Sequence, residues 1–143
     1  EDLFTILTDI QTAMPNVKKY ELEAFQVQYG SSNLPTATVA LMTPDGIRVE
    51  TARTGQGSVE SIYNTLEALI KEEIHLTNFK LSSIGQGRDA LAEARVNMTV
   101  NNVPVSGRAS AQDVLEASAK AFLNAVNRAF FNQKPVEKET AQI

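Results

Sequence analysis

The sequence has 143 residues, no cysteine, and a formal net charge of −4 with an isoelectric point near 5.0. A chain of this length suits one compact domain, and the lack of cysteine excludes disulfides and thiolate metal sites. Because the chain is acidic, its lysines and arginines are scattered, and no apolar run is long enough to cross a bilayer, we expect a cytoplasmic protein with no nucleic-acid or membrane partner.

The first 18 residues are predicted to contain a short amphipathic helix. Its apolar residues recur at helical spacing and are Leu3, Phe4, Ile6, Leu7 and Ile10. Pro15 ends this pattern. Since the sequence begins at Glu1 without a methionine, it is either a processed product or, as we expect, a piece of a longer polypeptide. The helix then either links to a neighbouring domain or packs on its own domain.

Three strands and a helix are predicted over residues 20–71. The predicted strands are Tyr20–Tyr29, Thr36–Met42 and Ile47–Arg53. Gly55-Gln56-Gly57 then leads into an amphipathic helix that begins at Ser58, its predicted cap, and ends near Lys71. Two glycines before a helix make either a tight turn or a site where the first-turn N–H groups bind an anion, and the motif alone leaves both open.

The same order of elements recurs over residues 78–131. The predicted elements are strands Phe79–Ile84, Ala92–Val100 and Val103–Arg108 and a helix Asp113–Phe131. Ser106-Gly107-Arg108 resembles the first glycine turn, and Ser110 with Asp113 has the spacing of a capping box. The tail over residues 132–143 lacks an apolar period and is predicted to be disordered.

A constant step relates the two halves of the chain. Val49 and Val105 lie 56 positions apart, and so do Ile70 and Val126, while upstream of the turn Thr43-Pro44-Asp45-Gly46 the step is 57, as between Val39 and Val96. We therefore predict an α+β fold of two βββα units, related by an internal two-fold axis, with sheets packed against helices. The predicted domain spans residues 19–131.

The last predicted helix has a ridge of small residues, Ala117, Ala121, Ala125 and Ala129, which lie four apart. Small side chains allow another backbone to approach closely. Packing on the chain's own sheet explains most of this pattern, and a subunit contact could use the rest.

No catalytic site can be assembled from this sequence. His75 is the only histidine, and it falls in a segment predicted to connect a helix to a strand. Glu72 and Glu73 are adjacent on a helix end, so their carboxylates diverge. Gly85-Gln86-Gly87 lacks the third glycine and the following helix of a nucleotide loop. We expect no catalytic residue, metal or cofactor in this chain, and therefore a binding function.

Several strings of the sequence resemble the C-terminal regulatory domain of 2-isopropylmalate synthase. They are Tyr20-Glu21-Leu22-Glu23, Gly30-Ser31-Ser32-Asn33, Thr54-Gly55-Gln56-Gly57-Ser58-Val59-Glu60, Asp89-Ala90-Leu91-Ala92-Glu93, Ser106-Gly107-Arg108 and the helix from Asp113 to Arg128. The resemblance covers almost everything from Tyr20 to Arg128. The helix from Asp2 also resembles the end of the small subdomain that links the catalytic barrel to the regulator in that family, so we expect residues 1–18 to be the end of a linker subdomain. It implies a domain of two βββα units in which a dimer partner completes an effector pocket.

The resemblance also implies a function. The family's enzyme condenses acetyl-CoA with 2-oxoisovalerate in the first committed step of leucine biosynthesis and is inhibited by leucine. Its divalent metal and catalytic residues would lie in an upstream barrel that this sequence lacks. The chain would be a regulatory, leucine-binding and dimer-forming domain that is not itself an enzyme.

Twelve effector-binding positions follow from the resemblance. They are Gln56, Gly57, Val59, Glu60, Leu76, Phe79, Ser83, Asp89, Ala90, Ala92, Ser110 and Gln112. An amino acid needs N–H donors for its carboxylate, acceptors for its ammonium group and an apolar pocket for its side chain. The first-turn N–H groups would bind the carboxylate. Asp89, Glu60 or backbone carbonyls would accept from the ammonium group. The apolar members of the set would contact the side chain.

Two alternatives remain at this point. A related domain occurs in citramalate synthase, which is regulated by isoleucine, and in some homocitrate synthases, so the resemblance fixes the effector class better than the effector. The glycine turn more often reads Gly-Asn-Gly-Pro in the family, whereas Gln56 and Ser58 occur here. A purely structural dimerisation module, with the glycines used for packing alone, is the alternative of a different class.

Overall fold

A computed structural model of the protein describes residues 19–30, 33–85 and 90–142. In chain order the elements are β1 (Glu21–Gly30), β2 (Asn33–Met42), β3 (Arg48–Thr54), α1 (Ser58–Leu69), β4 (Ile74–Ile84), β5 (Leu91–Val100), β6 (Val103–Ala111) and α2 (Val114–Gln142). Two βββα units follow one another, so the predicted α+β class and order of elements are confirmed.

Each unit has its own antiparallel sheet with the second strand in the centre, in the orders β1-β2-β3 and β4-β5-β6. The turn between β5 and β6 consists of Asn101 and Asn102, with φ values of 52° and 69°. Two successive positive φ angles are required by the hairpin turn that fits the right-handed twist of the strands, and asparagine tolerates them.

The repeat step is visible in the core. Ala37, Val39 and Leu41 on β2 are each 0% exposed, and their counterparts 57 positions later on β5 are also buried. Those counterparts are Ala94, Val96 and Met98. Because residues two apart on a strand share a face, each central strand buries one face under a helix.

The helices cover the sheets unevenly. α1 packs on β2 and β3, α2 packs on β5 and β6, and the two helices also pack on each other. Tyr63 of α1 joins the layers, since its ring stacks on Phe122 of α2 at 5.2 Å and meets Phe79 of β4 edge-to-face at 5.3 Å. Phe79 and Leu81 of β4 lie on the helix side of their sheet but each remain 37% exposed.

The alanine ridge of α2 is fully buried. Ala117, Ala121, Ala125 and Ala129 are each 0% exposed. A Cβ placed on Gly107 of β6 would collide with the carbonyl oxygen of Ala121 and lie 2.5 Å from the amide nitrogen of Ala125. The backbones of α2 and β6 are therefore in direct contact. The structure shows that the alanine ridge packs on the chain's own sheet.

Asn127 of α2 connects the second unit to the start of the first. Its side-chain oxygen accepts a hydrogen bond from the Tyr20 amide at 2.8 Å, and its side-chain nitrogen donates to the Tyr20 carbonyl at 2.9 Å. The Tyr20 ring stacks on Phe130 at 5.8 Å. Both backbone groups of a residue just before β1 are thus satisfied by the last helix.

Two predictions about the second unit are wrong. β4 begins at Ile74, so His75 lies in a strand and not in a connection. The register shifts between Leu76 and Asn78, and this bulge interrupts the side-chain alternation from which the strand was predicted. Gly107 lies inside β6 and makes no turn into a helix, because its role is the close approach to α2.

The predicted helix caps also differ from the structure. The cap of α1 is Gly57, and Ser58 is the first helical residue. Ser110 is held in the ladder of β6 opposite Glu93, so it forms no capping box. Asp113 alone caps α2, through its Oδ1, which accepts from the Leu115 amide at 2.9 Å.

α2 is longer than the predicted helix, because it continues to Gln142 instead of ending at Phe131, while the disorder of residues 132–143 stays a prediction. Residues 132–142 contain glutamine, lysine, glutamate and alanine, which extend an existing helix at little cost. Pro135 removes one backbone hydrogen bond without ending the helix.

The predicted helix within residues 1–18 and the loop residues 86–89 lie outside the described part of the chain.

Candidate ligand-binding site

The turn into α1 requires glycine at one position and leaves room at another. A Cβ on Gly55 would lie 2.5 Å from the Ser61 amide nitrogen, so only glycine allows β3 to turn directly under the helix. Gly57 has an extended backbone with φ of −131°, and a Cβ there would meet only a Glu60 carboxylate oxygen at 3.6 Å. Gly57 is therefore not required by sterics.

Gly57 leaves the start of α1 without a side-chain cap. The first N–H groups of a helix have no partner within the helix, and they carry the positive end of its dipole. Such a helix start attracts a carboxylate or another anion. The start of α2 is different, because Asp113 already satisfies one of its amides.

Both helix starts face one open cleft of about 530 Å³, within the range of small-molecule sites. Its lining residues are Tyr29, Gly57, Ser58, Val59, Glu60, Phe79, Asp113, Val114 and Leu115. The cleft thus combines an uncapped helix start, two carboxylates, and walls of aliphatic and aromatic side chains. No lysine or arginine lines it among the residues that the structure describes.

The structure brings four of the twelve predicted site residues to this cleft: Gly57, Val59, Glu60 and Phe79. Leu76 and Ala92 are half-buried and pack against the core. Gln56, Ser110 and Gln112 are exposed near the two helix starts without lining the cleft.

The remaining three predicted positions are near the β4–β5 connection. Ser83 is exposed on β4, and Ala90 is half-buried just before β5. Ser83 lies four residues beyond Phe79 on the same face of the sheet. Asp89 lies outside the described residues, so its predicted role stays a prediction.

Sequence reasoning missed the contribution of the second helix start. Asp113, Val114 and Leu115 lie 56 positions after Gly57, Ser58 and Val59 respectively. Applying the repeat step to the first glycine turn would have identified all three. Tyr29 was also missed, and it is 73% exposed at the end of β1, where only the tertiary fold shows that it reaches the cleft.

Other kinds of site have no support in the described part of the chain. No group of three or more metal-ligating side chains occurs there. His75 is exposed, and its side chain lies at hydrogen-bond distance, 3.2 Å, from the Glu73 carboxylate. No helix among these residues is long and apolar enough to span a bilayer.

The fold is that of a duplicated α+β domain built from two βββα units. The chain belongs to the family described as the LeuA allosteric (dimerisation) domain, whose sequence profile matches residues 1–130. It is therefore a regulatory domain of the kind found in 2-isopropylmalate synthases.

Full-length relatives support this assignment. The chain is 52% identical over 128 residues to 2-isopropylmalate synthase of Lysinibacillus sphaericus, covering 90% of this chain and 25% of that protein. It is 46% identical over 134 residues to the enzyme of Oceanobacillus iheyensis, covering 94% and 26%. It is 49% identical over 137 residues to that of Halalkalibacterium halodurans, covering 96% and 26%. The chain thus spans about a quarter of the length of these relatives.

Proposed function

We propose that this chain senses leucine for a 2-isopropylmalate synthase, the enzyme that condenses acetyl-CoA with 2-oxoisovalerate, and that leucine binding inhibits that enzyme. The observation that carries the proposal is the cleft in which an uncapped helix start, two carboxylates and apolar walls come together. The names of the relatives support the choice of enzyme.

Leucine is a zwitterion, and the cleft offers a partner for each of its parts. The first-turn N–H groups of α1 would bind its carboxylate. Glu60 or Asp113 would accept hydrogen bonds from its ammonium group. Val59, Phe79 and Leu115 would contact its branched side chain, which gains from leaving water.

A second copy of the chain would complete the site. The cleft is open, and Phe79 and Tyr29 at its walls are 37% and 73% exposed. A ligand held at a boundary between two copies favours one arrangement of the pair, and this differential affinity is the coupling free energy of allosteric inhibition. We also propose residues 19–131 as the regulatory domain and residues 1–18 as part of a linker to a catalytic barrel.

Thermal melting of the chain tests the proposal. A ligand that binds only the folded protein raises the unfolding midpoint, so we expect leucine to raise it more than isoleucine or valine do. 4-Methylpentanoate lacks the ammonium group and 3-methylbutylamine lacks the carboxylate, so each should raise it little. Sedimentation with and without leucine measures the oligomeric state in the same samples.

Variants identify the site in this experiment. Glu60→Gln should reduce the effect of leucine, whereas Glu23→Gln, on the exposed surface of β1, should leave it unchanged. If millimolar leucine does not change the melting midpoint of a sample that sediments as a dimer, the proposal is wrong and the chain is a purely structural dimerisation module. A larger shift with isoleucine would instead indicate a citramalate-synthase type of sensor.

A further inference from the structure

The face of the second sheet that points away from the helices carries a row of three cations. Lys80 on β4 pairs directly with Arg95 on β5, and Arg95 pairs directly with Arg108 on β6. Directly paired residues lie on one face, about 5 Å apart from strand to strand. The three positive side chains therefore cross the whole sheet side by side.

Like charges placed directly opposite each other destabilise a sheet. Glu93 offsets part of this repulsion, since its carboxylate lies 3.5 Å from Arg95 and 3.7 Å from Arg108. The two arginine side chains are still 58% and 64% exposed, and Lys80 has no ion pair among the described residues. The row thus keeps a net positive charge on a chain whose overall charge is negative.

The first unit shows that the fold does not require these cations. The corresponding row on its sheet is Gln26, Thr38 and Ala52, joined by the same direct pairings. The helix-facing residues of the two sheets repeat, but these outer rows do not. The cations are therefore specific to the second sheet.

The rows on either side of the cations are polar. One consists of Asn78, Asn97 and Ser106, in which Asn97 donates to Asn78 at 2.8 Å. The other has Ser82 and Ser110 on either side of Glu93. A sheet face made of charged groups, amides and hydroxyls is suited to a polar partner and not to an apolar one.

We infer that this face docks an acidic helix of a protein partner. Carboxylates at positions i, i+4 and i+8 of a helix repeat at about 5–6 Å, which matches the spacing of cations on adjacent strands. A small anion on an open, solvated face reaches only one or two of the cations and is screened by salt. An acidic ridge contacts all three together, which favours a macromolecular partner.

Peptide binding tests this inference directly. The probe is a fluorescent helical peptide with glutamates at i, i+4 and i+8, and its comparison is a peptide of the same composition with the glutamates on different helix faces. We expect the chain to bind the first peptide at least tenfold more tightly, with an affinity that falls as salt rises. Anisotropy measures both.

Two variants test whether the row of cations binds the peptide, and a third serves as the control. Arg95→Gln with Arg108→Gln should weaken binding of the aligned peptide at least tenfold, and Lys80→Gln, which breaks no described ion pair, should weaken it several-fold. The matched control is Arg48→Gln with Arg53→Gln, which removes two exposed arginines from β3 and should leave binding unchanged. Circular dichroism confirms that each variant is folded.

Four outcomes would overturn the inference. The first is that the aligned peptide does not bind at low salt, and the second is that both peptides bind equally. The third is that the β3 control variant loses as much affinity as the Arg95→Gln, Arg108→Gln variant. The fourth is that Lys80→Gln and the Arg95→Gln, Arg108→Gln variant are folded and bind the aligned peptide as tightly as the parent chain. Displacement of the aligned peptide by equimolar pyrophosphate would show a small-anion site instead. Tighter binding of a single-stranded oligonucleotide would show a nucleic-acid surface.

Discussion

Gly57 and Asp113 occupy the same position in the two units, the N-cap of the helix, 56 residues apart. Asp113 satisfies the Leu115 amide with its own carboxylate, while Gly57 has no side chain with which to do the same. The cleft is therefore lined by one helix start with a side-chain cap, that of α2, and one without, that of α1. The proposed ligand carboxylate takes the place in the first unit that an aspartate side chain fills in the second.

Gly57→Asp should give α1 the side-chain cap that it lacks. The extended backbone and free space at Gly57 accept a side chain, so the new carboxylate can cap α1 and raise the free energy of unfolding by about 1 kcal/mol. Urea unfolding measures this gain. The same variant should lose the leucine-dependent rise in melting midpoint.

Gly57→Ala is the matched control, because alanine fits the same space and cannot cap the helix. It should keep the response to leucine. If the aspartate variant is more stable and still responds fully to leucine, the carboxylate of the ligand does not bind at the start of α1.

Gly107→Ala should separate β6 from α2. The added methyl group meets the backbone of Ala121 and Ala125, which cannot rotate away as a flexible side chain could. We expect a loss of about 1–3 kcal/mol in the free energy of unfolding, measured in urea. Ser106→Ala, one residue earlier on the exposed face of β6, should change it little. Equal stability of the two variants would contradict the close backbone contact.

Tyr63 should make stability depend on pH in alkaline solution. Its side chain is 2% exposed, and burial raises the pKa of its phenol to about 12 from an ordinary value of 10.0. The unfolded chain therefore loses this proton at lower pH than the folded protein does. The resulting stability, of the order of 2 kcal/mol, is complete below pH 10 and is lost as pH rises towards about 12.

Tyr63→Phe tests this dependence. The Tyr63 hydroxyl is a neighbour of Ser118, which lowers its pKa against the larger effect of burial, but it makes no hydrogen bond of ordinary geometry among the described residues. We therefore expect the variant to be no less stable at neutral pH. It should lose less stability than the parent between pH 10 and pH 12. Burial also raises the pKa of Tyr20, so the measurement is the difference between the two proteins. Identical alkaline curves would show that Tyr63 does not titrate in this way.

Glu93→Gln should expose the repulsion within the cation row. The substitution removes the negative charge between Arg95 and Arg108, so we expect a loss of about 1 kcal/mol at low salt. High salt screens the arginines and should restore most of that loss. Denaturant unfolding at two salt concentrations measures both effects. A loss that salt does not change would mean that Glu93 acts through packing.

The elements of the fold could be predicted because their signals are local. Alternation along the strands, the apolar stripe of each helix and the repeat step each appear in a few neighbouring residues. The bulge at Thr77 concealed the start of β4, because one extra residue reverses the alternation. Gly107 was misread since glycine gives the same signal in a turn and at a close contact.

The site could be predicted only in part. Gly57, Val59 and Glu60 belong to one motif and reached the cleft together. The contribution of Tyr29 depends on how strands distant in sequence come together, and no local pattern contains that information. The family resemblance supplied Phe79 and also supplied positions, such as Leu76, that pack against the core.

The double hydrogen bond between Asn127 and Tyr20 joins residues 107 positions apart. Contacts of such long range slow folding, because the chain between them must be ordered first. During synthesis from the N-terminus, the beginning of β1 has no partner for these backbone groups until nearly all of α2 has been made. A fragment containing only the first βββα unit would leave the Tyr20 amide and carbonyl unpaired and would expose the side of α1 that packs on α2. Although the two units repeat in sequence, they should unfold as one cooperative body.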